Sequence, residues 1–146
     1  MNTPVSTIES LQATLAAEHA AIFLYGDAGA HTSQSAEPEL FATISTLYRT
    51  HRARRDQLRL LIGDRGATPV AAAATYELPG ALSTPTAVRR QALRTEQRCS
   101  EVYAALVANT ATTDRDWAIS ALVEAAQARI LLGGSPETFP GAPELG

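Results

Sequence analysis

The chain has 146 residues, among them 28 alanines, 12 arginines and no lysine, and its formal net charge is −3 at pH 7. A chain of this length predicts one domain with a sizeable core. The hydrophobic content of 45% argues against a disordered protein. So mild a charge does not by itself indicate nucleic acid or a membrane surface as a partner.

The sequence also bears on location. Cys99 is the single cysteine, which excludes an internal disulfide and favours a reducing compartment. No apolar run approaches the roughly 20 residues that span a bilayer. The N-terminal residues 1–4 contain no basic residue and begin no hydrophobic signal core, which argues against secretion. We therefore expect a cytoplasmic protein without a membrane anchor.

The first half of the chain predicts two helices. Ser6 followed three residues later by Glu9 is typical of a capping box, and the apolar periodicity after it runs to about Tyr25. Gly26, Gly29 and then His31-Thr32-Ser33 are expected to end or loosen this helix. A second helix is predicted from about residue 38, where a proline suits the first turn, to a glycine at position 63 or 66.

The second half predicts two more helices and a tail. The third helix begins at Pro85 and fades at Asn109. The fourth follows the cap region 112–114 and stops at the glycines of 133–134. No segment shows the alternation typical of strands. We therefore expect an all-α domain over residues 5–134, followed by a tail over residues 135–146 that holds three prolines and two glycines.

The segment between the second and third helices is long. Short turns connect helices one to two and three to four, which makes each pair an antiparallel hairpin. Roughly 17 to 20 residues, about positions 66–84, lie between the hairpins, and a loop of that length in a compact domain needs a reason. One alternative is a flexible insertion. Because Tyr76 and Leu78 give the segment apolar groups to pack, a crossover along a ferritin-like four-helix bundle is favoured.

Polar residues interrupt the apolar faces of these helices. Glu18 in helix one, His51 in helix two and Glu96 in helix three lie on or near the apolar stripes. Helix four carries Glu124 but is apolar nearly all round, so its orientation stays open. A carboxylate or imidazole on a core face is costly unless it is paired, protonated or bound to a metal. One such residue on each helix is typical of a metal site inside a bundle.

A dinuclear iron site in such a bundle takes one Glu from each of two helices and a Glu-x-x-His pair from each of the others. Glu18 and Glu96 match the single glutamates, but helix two has Tyr48-x-x-His51 and helix four has Glu124-x-x-Gln127. Two of the six positions are lost. The candidate metal ligands are therefore Glu18, His51, Glu96 and Glu124, for iron or manganese.

The alternative is a purely structural polar core. Arg54 and Arg55 flank His51 in sequence and are candidates to neutralise Glu18 and Glu96 as buried ion pairs. Tyrosine hydroxyls would complete the hydrogen bonds. The residues predicted to form this core are Tyr25, Tyr48, Arg54, Arg55, Tyr103 and Gln127.

Arginines are concentrated in helix two, where five of the twelve lie within residues 49–59. Guanidinium groups bind phosphate, so nucleic acid is one interpretation. Arg49, Arg52 and Arg59 lie opposite His51, however, and a solvated helix surface explains them better. The segment lacks interleaved aromatic residues on which bases would stack. We do not expect a nucleic-acid partner.

Short motifs occur in an order that matches a known family. They are Glu18-His19, Tyr25-Gly26, His51-Arg52-x-x-Arg55-Asp56, Tyr76-x-Leu78-Pro79, Glu96 and Phe139-Pro140-Gly141. The sequence resembles the actinobacterial ferritin-like domain proteins of uncharacterised function, from about Ser6 to Gly141. The resemblance implies a ferritin-like bundle, within a superfamily that includes iron-storage and oxygen-activating proteins. Where that pattern has an aromatic on helix four, this chain has Ile130, so a pocket-lining role there is not implied.

Together these features predict a non-enzymatic binding or scaffold domain with a degenerate dinuclear metal site and no resident cofactor. The alternative is an iron- or manganese-binding oxidoreductase or storage protein. Alanine-rich faces on helices three and four permit close helix approach, which predicts a homodimer. Neither a substrate nor a protein partner can be read from the residues.

Overall fold

A computed structural model describes residues 5–78 and 80–146, and over these residues the chain is an all-α four-helix bundle without strands. The helices are α1 Thr7–Ala30, α2 Pro38–Gly63, α3 Pro85–Asn109 and α4 Thr112–Leu131, followed by the short 3-10 turn Pro143–Leu145. The predicted fold class is thus confirmed. Residues 1–4 lie outside the described residues, and the prediction that they carry no secretion signal falls on them. Pro79 of the family motif also lies outside them.

The starts of α1, α2 and α3 follow the sequence signals. The predicted cap region 112–114 is wrong, because α4 already begins at Thr112 and no side chain caps it. Ser6 and Glu9 form both hydrogen bonds of the capping box at α1, which satisfies backbone donors that the first turn leaves free. The hydroxyl of Thr84 accepts a hydrogen bond from the backbone of Ala87 at the start of α3. Prolines occupy the first positions of α2 and α3, where a missing N–H costs nothing.

The first helix is longer than its apolar periodicity predicted, and it ends at the predicted residues from His31 onwards. α1 does not stop near Tyr25 but continues to Ala30. A side chain built at Gly26 would lie 3.6 Å from Tyr48, and one built at Gly29 would lie 3.8 Å from Ile44. These glycines therefore lie against α2, and packing outweighs the roughly 1 kcal/mol by which glycine disfavours a helix interior.

The hydrogen bonds between helices define the topology. Glu18 of α1 contacts His51 of α2. Glu18 also accepts from Tyr103 of α3, and Tyr25 of α1 donates to Glu96 of α3. Between α1 and α3 one number falls as the other rises, and the approach of Gly26 to Tyr48 and of Gly29 to Ile44 shows the same for α2, so α1 is antiparallel to both helices. Residues 54 and 57 of α2 bond to residues 124 and 117 of α4, and Arg65, just after α2, bonds to Asp114, which shows the same reversal between α2 and α4.

The segment between α2 and α3 is the crossover that this topology requires. The side chain of Gln12 donates to the carbonyl of Thr68 and accepts from the N–H of Val70. Further along α1, the ring of Phe23 lies 5.4 Å from that of Tyr76. The crossover therefore follows α1 from its beginning towards its end.

Two apolar clusters fill the bundle, on either side of its polar centre. One is built around Ile44, Ala92 and Ala125 and the other around Leu15, Leu58 and Leu106. The inward face of α4 consists of alanines at positions 118, 121, 125 and 128, so its larger side chains at 119, 123 and 130 face outwards. Among the described residues, no helix combines the length and apolarity needed to cross a membrane.

Candidate functional site

The centre of the bundle contains three buried ionisable side chains, one from each of three helices. Glu18 of α1, His51 of α2 and Glu96 of α3 are all 0% exposed. His51 Nδ1 lies 2.6 Å from Glu18 Oε2, and His51 Nε2 lies 2.8 Å from Glu96 Oε1. The imidazole thus bridges two carboxylates, and we call these three residues the central cluster.

The bridge fixes the charge of His51. An ionised carboxylate can only accept hydrogen bonds, so both ring nitrogens donate and the ring is an imidazolium. Burial on its own lowers the pKa of His51. The hydrogen bonds and negative charges of Glu18 and Glu96 outweigh that effect and raise the pKa from 6.5 to about 9. His51 is therefore protonated at neutral pH.

Two buried tyrosines complete the hydrogen bonds of the carboxylates. Tyr25 donates its hydroxyl to Glu96 Oε1 at 2.6 Å, and its ring stacks on His51 with centroids 5.2 Å apart. Tyr103 donates its hydroxyl to Glu18 Oε1. Burial, followed by nearby negative charge, raises the pKa of both hydroxyls well above 10, so both tyrosines remain neutral donors.

Arg54 supplies the second buried cation. It lies one helical turn after His51 on α2 and is 5% exposed. Its guanidinium donates to the Tyr103 hydroxyl at 3.1 Å and to Glu124 Oε2 at 2.7 Å. Burial opposes the charge of Arg54, but Tyr103, Glu18 and Glu124 raise its pKa above the ordinary value. The two cations, His51 and Arg54, thus balance the two buried carboxylates.

Glu96 retains one unused acceptor. Its Oε2 is buried and has no hydrogen-bond partner among the described residues. Burial favours the neutral acid, but the hydrogen bond and charge of His51 hold the pKa of Glu96 below 4.5. The free oxygen therefore belongs to an ionised carboxylate, for which an unfilled acceptor is costly.

Not every predicted site residue joins this arrangement. Glu124 reaches Arg54 from the rim of the bundle, and its side chain is 59% exposed. Tyr48 is half-buried under the guanidinium of Arg52. Arg55 points away and pairs with Asp56 at 2.8 Å. Gln127 is exposed, so its predicted place in a polar core is wrong, because α4 turns its alanine face inwards.

The geometry does not match the donor set of a metal pair. Within the described residues, no three His, Cys, Asp or Glu side chains are grouped so that they could hold a metal ion. Both nitrogens of His51 are directed at carboxylates, on opposite sides of the ring. Glu124, the ligand candidate on α4, is held by Arg54 instead. These side chains form an ion-pair network that the two ring N–H groups of His51 hold together. They do not form the ligand set of a dinuclear iron or manganese centre.

Sequence reasoning did not identify all the residues that border a groove beside Arg54. A groove of about 340 Å³ lies between α2 and α4, bordered by Arg54, Gln57, Trp117 and Glu124. Trp117 donates to Gln57 at 2.8 Å, and its ring meets Tyr103 edge-on at 6.2 Å. Gln57 could have been found, because it follows Arg54 by three positions and so lies on the same face of α2. Trp117 carried no such signal, because α4 is apolar nearly all round and its inward face could not be assigned.

The sequence of this chain matches the model of a family described as a domain of unknown function, DUF4439, over residues 10–144. The chain belongs to this family. This DUF4439 chain is also similar in structure to a conserved hypothetical protein, Rv2844, from Mycobacterium tuberculosis. The two share 30% sequence identity and a TM-score of 0.81, and the match covers 90% of this chain and 98% of the other. No curated protein matches the chain.

Proposed function

We propose that this DUF4439 chain is a non-enzymatic binding or scaffold bundle, in which a proton-held ion cluster stands where a ferritin-like protein would hold a metal pair. The observation that carries the proposal is the bridge of His51 between Glu18 and Glu96, at 2.6 and 2.8 Å. An imidazolium at that position supplies the positive charge that a metal would otherwise supply to the carboxylates.

The charge balance supports the same proposal. Two buried carboxylates need two positive charges, and His51 and Arg54 provide them. Tyr25 and Tyr103 fill one oxygen of each carboxylate. Such a network needs no cofactor to balance its charges, and it rigidifies the core around it. We extend the proposal to an actinobacterial, ferritin-like lineage and to a cytoplasmic location. The free, buried thiol of Cys99 supports the location, because it is typical of a reducing compartment.

A second candidate function rests on a single atom. The buried Oε2 of Glu96 has no hydrogen-bond partner among the described residues. A carboxylate oxygen of this kind is a ligand that iron and manganese bind. The alternative is therefore an iron- or manganese-binding oxidoreductase or storage protein that holds an ion beside Glu96. For His51 to be a ligand of the same ion, it must give up one of its two ring N–H protons.

Elemental analysis tests the two candidates. The purified chain is incubated with Fe²⁺ or Mn²⁺ and desalted, and the bound metal is measured together with the consumption of oxygen in the presence of Fe²⁺. We expect far less than one ion per chain, no rise of Tm with metal, and oxygen consumption equal to that of buffer.

Stoichiometric metal would decide for the alternative if Glu18→Ala and His51→Ala lose it. His31→Ala is the matched control, because this histidine is exposed and pairs with Asp27. Metal that is lost equally in the His31 variant would be bound at the surface and would leave the proposal standing. Oxygen consumption that depends on Glu96 would contradict it.

A further inference from the structure

The groove between α2 and α4 is bordered by one of the two buried cations of the bundle. Its volume is about 340 Å³, and the side chains that border it include Arg54, Gln57, Asp116, Trp117, Ser120 and Glu124. Arg54 is 5% exposed, whereas the side chain of Glu124, which bonds to it, is 59% exposed. A buried guanidinium is thus bonded, at the border of this groove, by a carboxylate that lies largely in solvent.

This bond shows which chemical group the guanidinium binds. Arg54 donates to Glu124 Oε2 at 2.7 Å and to the Tyr103 hydroxyl at 3.1 Å. Guanidinium groups form strong, charge-assisted hydrogen bonds of this kind with carboxylates. The chain therefore places a carboxylate of its own at this end of the groove, and the contact identifies a carboxylate as the group that fits there.

Glu124 is held at this position by little. Its hydrogen bond to Arg54 is the only one that its side chain makes among the described residues. An ion pair with so exposed a partner contributes little net free energy. The charge balance of the core does not depend on it either, because the two buried cations already offset the two buried carboxylates. A carboxylate from solution can therefore replace Glu124 while Glu124 turns into water.

The rest of the groove selects the body of such a ligand. Trp117, which is half-buried, and Ala121 supply apolar surface beside Arg54. A cavity of about 150 Å³ holds a molecule of the size of benzene. The groove is larger than this, so it has room for a ring or a short hydrocarbon chain together with its head group. The ligand that fits is small and apolar at the end away from Arg54.

The second acid of the groove favours a head group with a single negative charge. Asp116 precedes Glu124 by eight residues of α4, about 12 Å along the helix, and its charge remains when Glu124 turns away. A phosphate, whose charge approaches −2 at neutral pH, would be repelled more strongly by Asp116 than a carboxylate. An ammonium group would compete with Arg54 for Glu124, the acceptor that the buried guanidinium already holds.

We propose that this groove is a binding site for a small monocarboxylate with an apolar body, whose carboxylate replaces that of Glu124 on Arg54. Glu124 is then an internal competitor for the site. This inference rests on the proposed binding function and names a ligand class for it. The metal analysis tests the bridge of His51 and not this groove, so the failure of one proposal is distinguishable from the failure of the other.

The single tryptophan of the chain, Trp117, borders the groove, so its fluorescence reports on occupancy. The full chain is titrated at constant ionic strength with cyclohexanecarboxylate, and with cyclohexylmethanol, cyclohexylmethylamine and inorganic phosphate for comparison. We expect a saturable change with the carboxylate and a weaker response or none with the other three. No saturable change with the carboxylate, or equal or tighter binding of the alcohol, the amine or phosphate, would overturn the proposal.

Three variants test the role of Glu124. Glu124→Ala removes the competitor and is expected to raise the affinity for cyclohexanecarboxylate at least about threefold. Asp116→Asn is the matched control: it removes a charge from the same groove without touching Arg54. Its effect is expected to be less than about 1.5-fold, because exposed charges further apart than a Debye length are screened. Arg54→Met, combined with Glu124→Ala, is expected to abolish binding in a chain that circular dichroism shows to be folded.

The comparison of Glu124→Ala with Asp116→Asn does not depend on whether the Arg54 variant folds. An affinity that Glu124→Ala leaves unchanged, or that Asp116→Asn raises by as much, would overturn the proposal. Binding that survives in a folded Arg54 variant would overturn it as well.

Discussion

Arg54 and Arg55 are adjacent in the chain, but α2 turns Arg54 into the bundle and Arg55 away from its centre. Arg54 is 5% exposed and binds Tyr103 and Glu124, whereas Arg55 pairs only with Asp56, its neighbour in sequence. Consecutive residues of a helix are 100° apart, and Arg54 follows His51 by three positions and so shares its face. The two arginines therefore have different roles despite their identical chemistry.

Arg54→Met is expected to lower the free energy of unfolding by about 3 kcal/mol, because it removes one of the two buried cations near Glu18 and Glu96 and leaves these carboxylates undercompensated. Arg55→Met replaces a surface ion pair and is expected to cost less than about 1 kcal/mol. Urea unfolding of both variants at pH 7 measures the difference. Equal losses would contradict the assignment of Arg54 to the central charge balance.

The two buried tyrosines allow a second comparison. Tyr25→Phe and Tyr103→Phe each remove one hydroxyl that donates to a buried carboxylate. Each is expected to cost about 1–3 kcal/mol, because a buried carboxylate loses a hydrogen-bond donor. Tyr103→Phe leaves Glu18 Oε1 without its donor, whereas Glu96 Oε1 keeps His51 Nε2 after Tyr25→Phe. Tyr48→Phe is the control, since Tyr48 is half-buried and its hydroxyl makes no hydrogen bond among the described residues. Denaturant titrations should show little change for that variant, and a loss as large as that of Tyr103→Phe would refute the argument.

Gly141 of the tail can be compared with Gly66, which follows α2 and has the same backbone conformation. Gly66 and Gly141 both have φ of +75°, where a side chain costs roughly 1 kcal/mol. A Cβ built on Gly141 would lie 2.1 Å from the carbonyl oxygen of Ser100, while one built on Gly66 meets nothing within 4 Å. The backbone of the tail therefore lies directly against α3 at this point.

Gly141→Ala is expected to be less stable than Gly66→Ala and to release the tail, because backbone atoms cannot yield as a flexible side chain would. Limited proteolysis followed by mass spectrometry measures the release, and thermal unfolding measures the stability. If both variants lose the same stability and the tail stays protected, the contact with Ser100 does not hold the tail.

Much of the fold could be predicted because its signals are local. The capping box at Ser6 and the prolines at the starts of α2 and α3 define helix ends through chemistry within a few residues. The apolar stripe of α2 likewise places His51 among core residues. The continuation of α1 past Tyr25 could not be predicted, because Gly26 and Gly29 signal an end locally, and only contacts with α2 override that signal.

The candidate site divides in the same way. Glu18, His51 and Glu96 could be found because a polar residue on an apolar stripe is visible in the sequence. The bridge of one imidazole between two carboxylates could not, since it depends on how three helices meet. The orientation of α4 was also open, because large apolar residues and alanines occupy opposite faces, and either face could have been turned inwards.

His51 predicts how stability depends on pH. Its pKa is about 9 in the folded chain, against an ordinary value of 6.5. Below pH 6.5 the ring is protonated in both the folded and the unfolded chain, so its contribution to stability is fully present. As the pH rises from 6.5 to 9, the unfolded chain loses this proton and the folded chain keeps it. The free energy of unfolding should therefore fall by about 3 kcal/mol over this range.

Unfolding in urea at several pH values between 6 and 9.5 measures this slope. His51→Gln should abolish it, because no group at that position then titrates, whereas His31→Gln should retain it. Below pH 4.5 stability should fall again, since the pKa of Glu96 is held below its ordinary value by His51, and the proton that Glu96 takes up favours the unfolded chain. A wild type whose stability is constant from pH 6.5 to 9, or a slope that His51→Gln leaves unchanged, would mean that His51 is not held as an imidazolium between the two carboxylates.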